Sequence, residues 1–412
     1  MSPSAGPPFD VAIIGAGPAG SAAAAWLAGR GHRVVCFERG WFPRHTIGES
    51  LLPRCNVLLR EAGLFDAVAA RRYMPKRGAT FVRGTERERF CFARGLPGDD
   101  EATFQVPRDD FDQTLATAAR ARGADLRFGH EVEAAQADEA GARLGVRDVE
   151  TGERREVQAR FLLDCSGPGR VLAKLWRLDR PAPLPTRSAY FTMVEGDERP
   201  AGELEGDIWV CLHPRGTWLW IIPFSDGRTS VGVVGDDDRF DASMGDREKL
   251  FDAVRTEPNA AARLARAAPV LRTMSLRGWT TSTARTHGPG WAVAGNAGDF
   301  LDPVFSSGVC LALESSLLAA RLADRTLGGQ AVDWQAEFAA PVASAVAVFR
   351  SFVQGWYRGD VPKLFFAREK LERVQRQVTS VLGGNVLNTD NPLVRDPEGA
   401  LRTLLSFVER LG

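Results

Sequence analysis

The chain has 412 residues, 44% hydrophobic and 25% charged, a length that exceeds one simple core and predicts two or more subdomains. Its 52 basic residues cancel 52 acidic ones, so there is no basic field for nucleic acid or for an anionic membrane surface. The six cysteines are scattered without a CxxC pair, which predicts reduced, mostly buried thiols in a cytoplasmic protein.

No signal peptide is expected ahead of the first apolar run, and no apolar stretch is expected to be long enough to span a bilayer. No His, Cys or carboxylate cluster has metal-ligand spacing, and no GxSxG supports nucleophilic serine chemistry. Only five of the 52 basic residues are lysines.

From the front, FDVAIIG predicts a strand, GAGPAG a tight turn, SAAAAWLAGRG an alanine-rich helix and HRVVCFE a second strand ending on Glu38. Gly15, Gly17 and Gly20 occupy the GxGxxG positions of one βαβ unit. They make the turn, admit a pyrophosphate to the backbone and let helix pack on strand, while the helix N-terminus faces the phosphates. Glu38 is placed to accept hydrogen bonds from both ribose hydroxyls. FLLDCSGPGR (161–170) and GWAVAGNAGDF (290–300) predict two more strands of the same nucleotide domain.

The fold expected is α/β: a split Rossmann-type FAD-binding domain (1–71, 111–184 and 286–333) with an inserted β-sheet substrate domain (72–110 and 185–285). The insert carries alternating patterns such as WLWIIPFSDGRTSVGVV. A helical C-terminal region (334–412) follows, its helices WQAEFAAPVASAVAVFRSFV and FFAREKLERVQRQVTSVL broken at Gly355, Gly359 and Asp360.

Three stretches carry candidate chemistry, and each also has a plain structural reading. DFLDPVFSSGV ends in small residues whose backbone amides, at Ser307 and Gly308, open an apolar helix. That is an anion site or a simple cap, with Gly308 expected to serve the turn. Trp218 and Trp220 lie two apart on a strand, as a wall or as one face of a core. Lys76 is a surface charge, or an amine that an apolar setting makes nucleophilic where arginine could not be.

GAGPAG with Glu38, PRHTIGES (43–50), DCSG (164–167) and GNAGDFLDP (295–303) together resemble the FAD-dependent aromatic hydroxylase group over essentially the whole chain. Within it, WLWIIP matches WxWxIP, Phe300, Pro303, Ser306 and Gly308 match FxxPxxSxG, and MPKRGATF matches KxGxxF. The chain is therefore similar to flavin-dependent halogenases. The resemblance implies FAD used as FADH2, O2, and chloride or bromide. A flavin hydroperoxide and halide would give hypohalous acid, which Lys76 would hold or carry as a haloamine to an electron-rich aromatic. It assigns catalytic roles to Lys76, Trp218, Trp220 and Phe305, and halide binding to Ser307 and Gly308. It assigns cofactor contacts to Gly15, Gly17, Ala19, Gly20, Glu38, Arg39, Glu49, Ser50, Arg108, Asn296, Asp302 and Gly308.

Two departures matter. Asn296 replaces the acid that contacts the ribityl chain, and Phe305 replaces the glutamate of tryptophan halogenases. The second, with VQGWYRGDVPKLFF in the tail, points to phenol or pyrrole substrates, free or tethered to a carrier protein. A separate NAD(P)H-dependent flavin reductase is the implied partner. The rival readings are a single-component monooxygenase consuming NAD(P)H itself, and a flavoprotein that has lost turnover.

Overall fold

The structure is a computed structural model that describes residues 9–411 except Pro183, Pro214 and Lys370. The stretch before Phe9, on which the expectation of no signal peptide was read, lies outside the described residues.

Five strands run parallel in one sheet, in the order Trp291–Val293, Arg154–Asp164, Phe9–Ile14, Val34–Glu38, Asp125–Phe128. The central runs are almost wholly apolar because both faces are covered. Val11 and Ile13 point into the core formed with the Pro18–Gly29 and Ser307–Leu327 helices. Ala12 and Ile14, on the opposite face, pack with Val132, Leu144 and Val146 of an antiparallel meander. The strand ends are tied together: Gly15 N donates to the Phe37 carbonyl (2.7 Å), Cys165 N to Ile14 (2.8 Å) and Ala294 N to Asp164 (2.9 Å). The three loops that follow therefore open on one edge, outside the carboxyl ends of the strands, where such sheets bind ligands.

A second sheet orders Ala268–Pro269, Arg187–Glu195, Thr229–Asp236, Trp218–Pro223, Ile208–Leu212, Gly78–Arg83 and Glu86–Cys91. Its pairs are antiparallel except for Ile208–Leu212 on Gly78–Arg83. Strand alternation divides its faces. Phe81, Val210, Trp218, Trp220 and Ile222 join the main core. Val82, Cys211, Leu219, Ile221 and Val233 are covered by Leu250, Ala253 and Val254 of the Asp246–Thr256 helix.

The tail is helical, as expected, but its breaks differ. Gly355 lies inside the Ala340–Arg358 helix, where a Cβ would come 2.9 Å from Val361 Cγ2, so it is a packing glycine. The real stop is Gly359 at φ +85°. Residues 366–369 and Leu371 are not helical, and the next helix is Glu372–Leu382. A further correction concerns length: Gln335–Arg358 is long and apolar enough to cross a bilayer, contrary to expectation. Here Phe349, Phe352, Val353 and Trp356 of that helix are buried in the core.

Candidate functional site

The glycine loop after the first strand is fixed by sterics. Gly15 stands at φ +91°, and a Cβ there would lie 2.6 Å from the Cys165 carbonyl oxygen. A Cβ on Gly20 would lie 1.8 Å from the Gly15 oxygen, so helix and turn touch backbone to backbone. Gly17 differs: the nearest atom to a Cβ would be Nη2 of Arg44 at 3.4 Å. A helix N-terminus, open backbone and a guanidinium thus converge, which suits a diphosphate. Glu38 accepts from the Ala16 amide (3.1 Å) and the Gly40 amide (3.0 Å) and keeps acceptor capacity for a diol. Arg44, in the PRHTIGES stretch, was not singled out from the sequence.

Ala19 is buried in the helix beside Gly295, whereas Arg39 is exposed one residue past Glu38. Asn296 is half-buried in the Gly295–Ala297 turn, whose Gly295 amide donates to Ser315 Oγ (2.9 Å). Arg108 spends its donors on the Ile47 carbonyl (2.8 Å), the Gly48 carbonyl (3.3 Å) and a bidentate pair with Asp112. It braces the 47–48 backbone from below. The next residues are less satisfied: Glu49 Oε1 and Ser50 Oγ are buried without a hydrogen-bond partner. Orphaned polar atoms of this kind fit a polar cofactor edge. Burial pushes the Glu49 carboxyl up to about 7, against a hydrogen bond from Ser230 and the charge of Arg108.

Lys76 is 1% exposed on the Met74–Lys76 strand. Its Nζ donates to the Leu51 carbonyl (2.8 Å) and sits 5.4 Å from the centroid of Phe92. Desolvation lowers it to about 7, although Asp207 and Cys55 pull the other way. The bland reading as a solvated surface charge therefore fails. Trp218 and Trp220 face inward with centroids 6.0 Å apart. Trp220 Nε1 donates to Ser230 Oγ (3.0 Å), and Ser230 in turn serves Glu49. Residues 49–51 thus tie the lysine to the tryptophan strand.

Trp218 Nε1 donates to the Tyr357 hydroxyl (3.0 Å), which donates to Asp302 Oδ2 (3.0 Å). The Arg187 guanidinium lies 3.3 Å from the Tyr357 ring centroid, and its Nη1 is 3.6 Å from Asp302. Burial raises Asp302 to about 6 despite Arg187. Sequence reasoning missed Arg187, Ser230 and Tyr357. The tail motif holding Tyr357 was noticed, but nothing local marks its hydroxyl as a partner of Trp218.

Asp302 Oδ1 accepts from the Val304 amide (3.1 Å) and caps the Pro303–Phe305 turn. Ser306 takes the left-handed conformation at φ +57°, and the helix begins at Ser307, 2% exposed. This corrects the expectation for Gly308, which is helical; a Cβ there would meet Phe300 Cε2 at 2.9 Å. Phe305 is packed among Phe81, Phe352, Trp356 and Phe365 at 5.8–6.4 Å, inside an aromatic core. No group of three or more potential metal ligands occurs among the described residues.

The FAD binding domain family matches residues 8–342. The tryptophan 2-halogenase of Chondromyces crocatus is 32% identical over 361 residues, covering 84% of this chain and 65% of that protein. A 1H-pyrrole-2-carbonyl-[peptidyl-carrier protein] chlorinase of Pseudomonas fluorescens is 29% identical over 341 residues, covering 76% of this chain and 74% of the relative. Among solved structures, a flavoprotein/dehydrogenase from Cytophaga hutchinsonii superposes with TM-score 0.94 at 38% identity, over 97% of this chain and 99% of that one. The chain thus spans about two thirds to three quarters of the length of the two halogenases.

Proposed function

Because this chain belongs to the FAD binding domain family, with named halogenases among its relatives, we propose that it is an FADH2-dependent halogenase acting on an electron-rich aromatic. Reduced FAD, O2 and chloride or bromide together would supply hypohalous acid. The chain's own residues do the rest. Gly15–Gly20, Arg44 and Glu38 hold the diphosphate and ribose. Ser307 and Gly308 offer amides to the halide. Trp218 and Trp220 close the passage to the aromatic, and Lys76 receives the electrophilic halogen.

The observation that carries this reading is Lys76. An amine 1% exposed and held near pH 7 has an available lone pair, and it hydrogen-bonds the same short segment that reaches Trp220 through Glu49 and Ser230. Burying that amine costs free energy that its hydrogen bond to the Leu51 carbonyl offsets only in part.

The sheets support the division proposed for the chain. Strands of the parallel sheet come from 9–164 and 287–293, those of the second sheet from 78–91 and 187–277. The substrate is proposed to be a phenol or pyrrole, either free or carrier-bound. Support comes from the pyrrole chlorinase among the chain's relatives. A separate flavin reductase belongs to the same proposal, as does a cytoplasmic location, which six free thiols favour.

The test is direct. Purified protein, FAD, a flavin reductase with NADH, and bromide are incubated with a panel of phenols and pyrroles, free and carrier-bound. Mass spectrometry should find brominated product only when reductase and bromide are both present. Hydroxylated product alone would return the chain to the monooxygenases.

A further inference from the structure

We infer that the cavity between residues 282–290 and the Ala340–Arg358 helix binds a nucleoside phosphate, with Arg180, Arg285 and Arg350 on the phosphate and Trp334 on the base. None of these residues belongs to the site proposed for halogenation, and the inference does not depend on that reading.

The cavity holds about 1020 Å³, room for a nucleotide, whereas an inorganic ion would leave most of it to water. Its walls follow from the chain. Val342, Val346 and Arg350 recur every fourth residue, so one row of the Ala340–Arg358 helix faces the space. Across from that row, Arg180 pairs with Ser282 in a two-stranded ribbon, and the adjoining Thr281 bridges to Phe300, which sets Asp299 on the wall. Phe161 and Trp334 stack with centroids 5.1 Å apart and planes 18° apart, and Trp334 is left half-buried. His287 Nε2 and Gln335 Oε1 stand 3.3 Å apart and join the strand side to the helix side. The rim is open, since Arg180, Arg285, Pro289 and Gln330 are exposed.

The cations of this cavity are unequally satisfied. Arg160 holds Asp10 at 3.2 Å and the Leu327 carbonyl at 2.9 Å. The guanidiniums of Arg180, Arg285 and Arg350 hold no carboxylate or carbonyl among the described residues. Arg350 Nε is buried without a hydrogen-bond partner, a cost that a bound acceptor would remove. Arg285 lies 5.6 Å from the ring centroid of Trp291, which holds it against the wall. The acids do not fill these donors. Asp333 is spent on the Gln335 and Ala336 amides, each at 3.0 Å, and Glu139 is exposed. Asp299 forms no ion pair with the three arginines and remains an acceptor suited to a ribose hydroxyl.

A carboxylate brings two oxygens and one charge. A phosphate ester brings three oxygens and up to two charges, the better match for three free guanidiniums. The half-buried indole adds a flat apolar surface on which any base can stack.

The test uses protein saturated with FAD, so that the Gly15–Glu38 site is filled, titrated by calorimetry with ADP, pyrophosphate and adenosine. ADP should bind saturably, one per chain, without releasing flavin; pyrophosphate should bind more weakly and adenosine not at all. Arg350→Met should weaken ADP and pyrophosphate roughly ten- to hundredfold, the loss of one charge-assisted hydrogen bond, with FAD content unchanged. Arg285→Gln, at an exposed position, should do the same even if Arg350→Met fails to fold. Arg143→Gln, exposed on the antiparallel meander, should change nothing. Trp334→Leu should weaken ADP and spare pyrophosphate. Flavin release in step with ADP binding would put the nucleotide in the cofactor site and overturn the inference. So would unchanged binding in Arg350→Met and Arg285→Gln, or heats that never saturate, which would mean an adventitious ion only. Adenosine binding as tightly as ADP would overturn the role of the arginines, and pyrophosphate binding as tightly would overturn the stacked base.

Discussion

At the scale of single residues, Lys76 couples function to stability. Lys76→Ala should abolish halogenation while NADH-driven flavin reoxidation continues, because the amine acts after the oxidant forms. Lys76→Arg should fail too, since a guanidinium stays charged and is a poor nucleophile. Product formation by the arginine variant would reduce the lysine to a charge. Burial lowers Lys76 from 10.5 to about 7. Above 10.5 both states hold it neutral, and as pH falls toward 7 the unfolded chain binds a proton that the folded one does not, so stability drops. Lys76→Met should therefore stabilise the fold at pH 7, by something on the order of 4 kcal/mol, and the gain should fade toward pH 10. Glu49, raised to about 7, and Asp302, raised to about 6, work in the opposite window. Their stabilising contribution is present at low pH and lost as pH climbs through those values. Urea titrations from pH 5 to 10 would read both slopes; a flat difference between wild type and Lys76→Met would refute the buried-amine argument.

At the scale of elements, the start of the Ser307–Leu327 helix and the end of the Ala340–Arg358 helix meet the tryptophan strand. An anion at a partly buried helix N-terminus is held by up to about 2 kcal/mol. Ser307→Ala keeps the amides and should leave the KM for bromide within about threefold. Gly308→Val must displace Phe300, whose ring already lies 2.9 Å from a Cβ position, and should raise that KM roughly ten- to thirtyfold. Equal effects from the two variants would place the halide elsewhere. Tyr357 links two elements through one hydroxyl. Tyr357→Phe leaves the Trp218 indole and buried Asp302 each short of a partner, at a cost of about 1–3 kcal/mol. It should also loosen Trp218, so that more bromination goes uncoupled to peroxide. Unchanged coupling would make Tyr357 a packing residue only.

At the scale of the whole molecule, one sheet offers strand ends to a dinucleotide and the other turns its tryptophans toward the shared core. Among the described residues, the loops that follow the Phe9–Ile14, Arg154–Asp164 and Trp291–Val293 strands of the parallel sheet open on the same edge. On the halogenase reading, the protein alone should oxidise NADH or NADPH at background rate, with or without phenols, and turnover should begin only when a reductase is added. Substrate-stimulated NADPH oxidation by the protein alone would favour the monooxygenase reading instead.

The sequence by itself determined what short-range chemistry dictates. Gly15 and Gly20 are legible because no side chain fits where turn and helix touch backbone. Glu38 is legible because strand length sets it at the edge. The alternation of WLWIIP put both tryptophans on one face. Only the tertiary structure decided what the buried groups touch. Lys76 looks like any lysine until the fold strips its water, and Phe305, expected to be catalytic, joins an aromatic core to which the tail contributes Phe352, Trp356 and Phe365. Ser306, and not Gly308, takes the left-handed turn, and at Gly308 it is the Phe300 ring that claims the space. Tyr357 and Arg187 could not be found from the sequence, since a hydrogen bond across 139 residues leaves no local pattern. Periodicity reports which face of an element is buried; it does not report the partner that buries it.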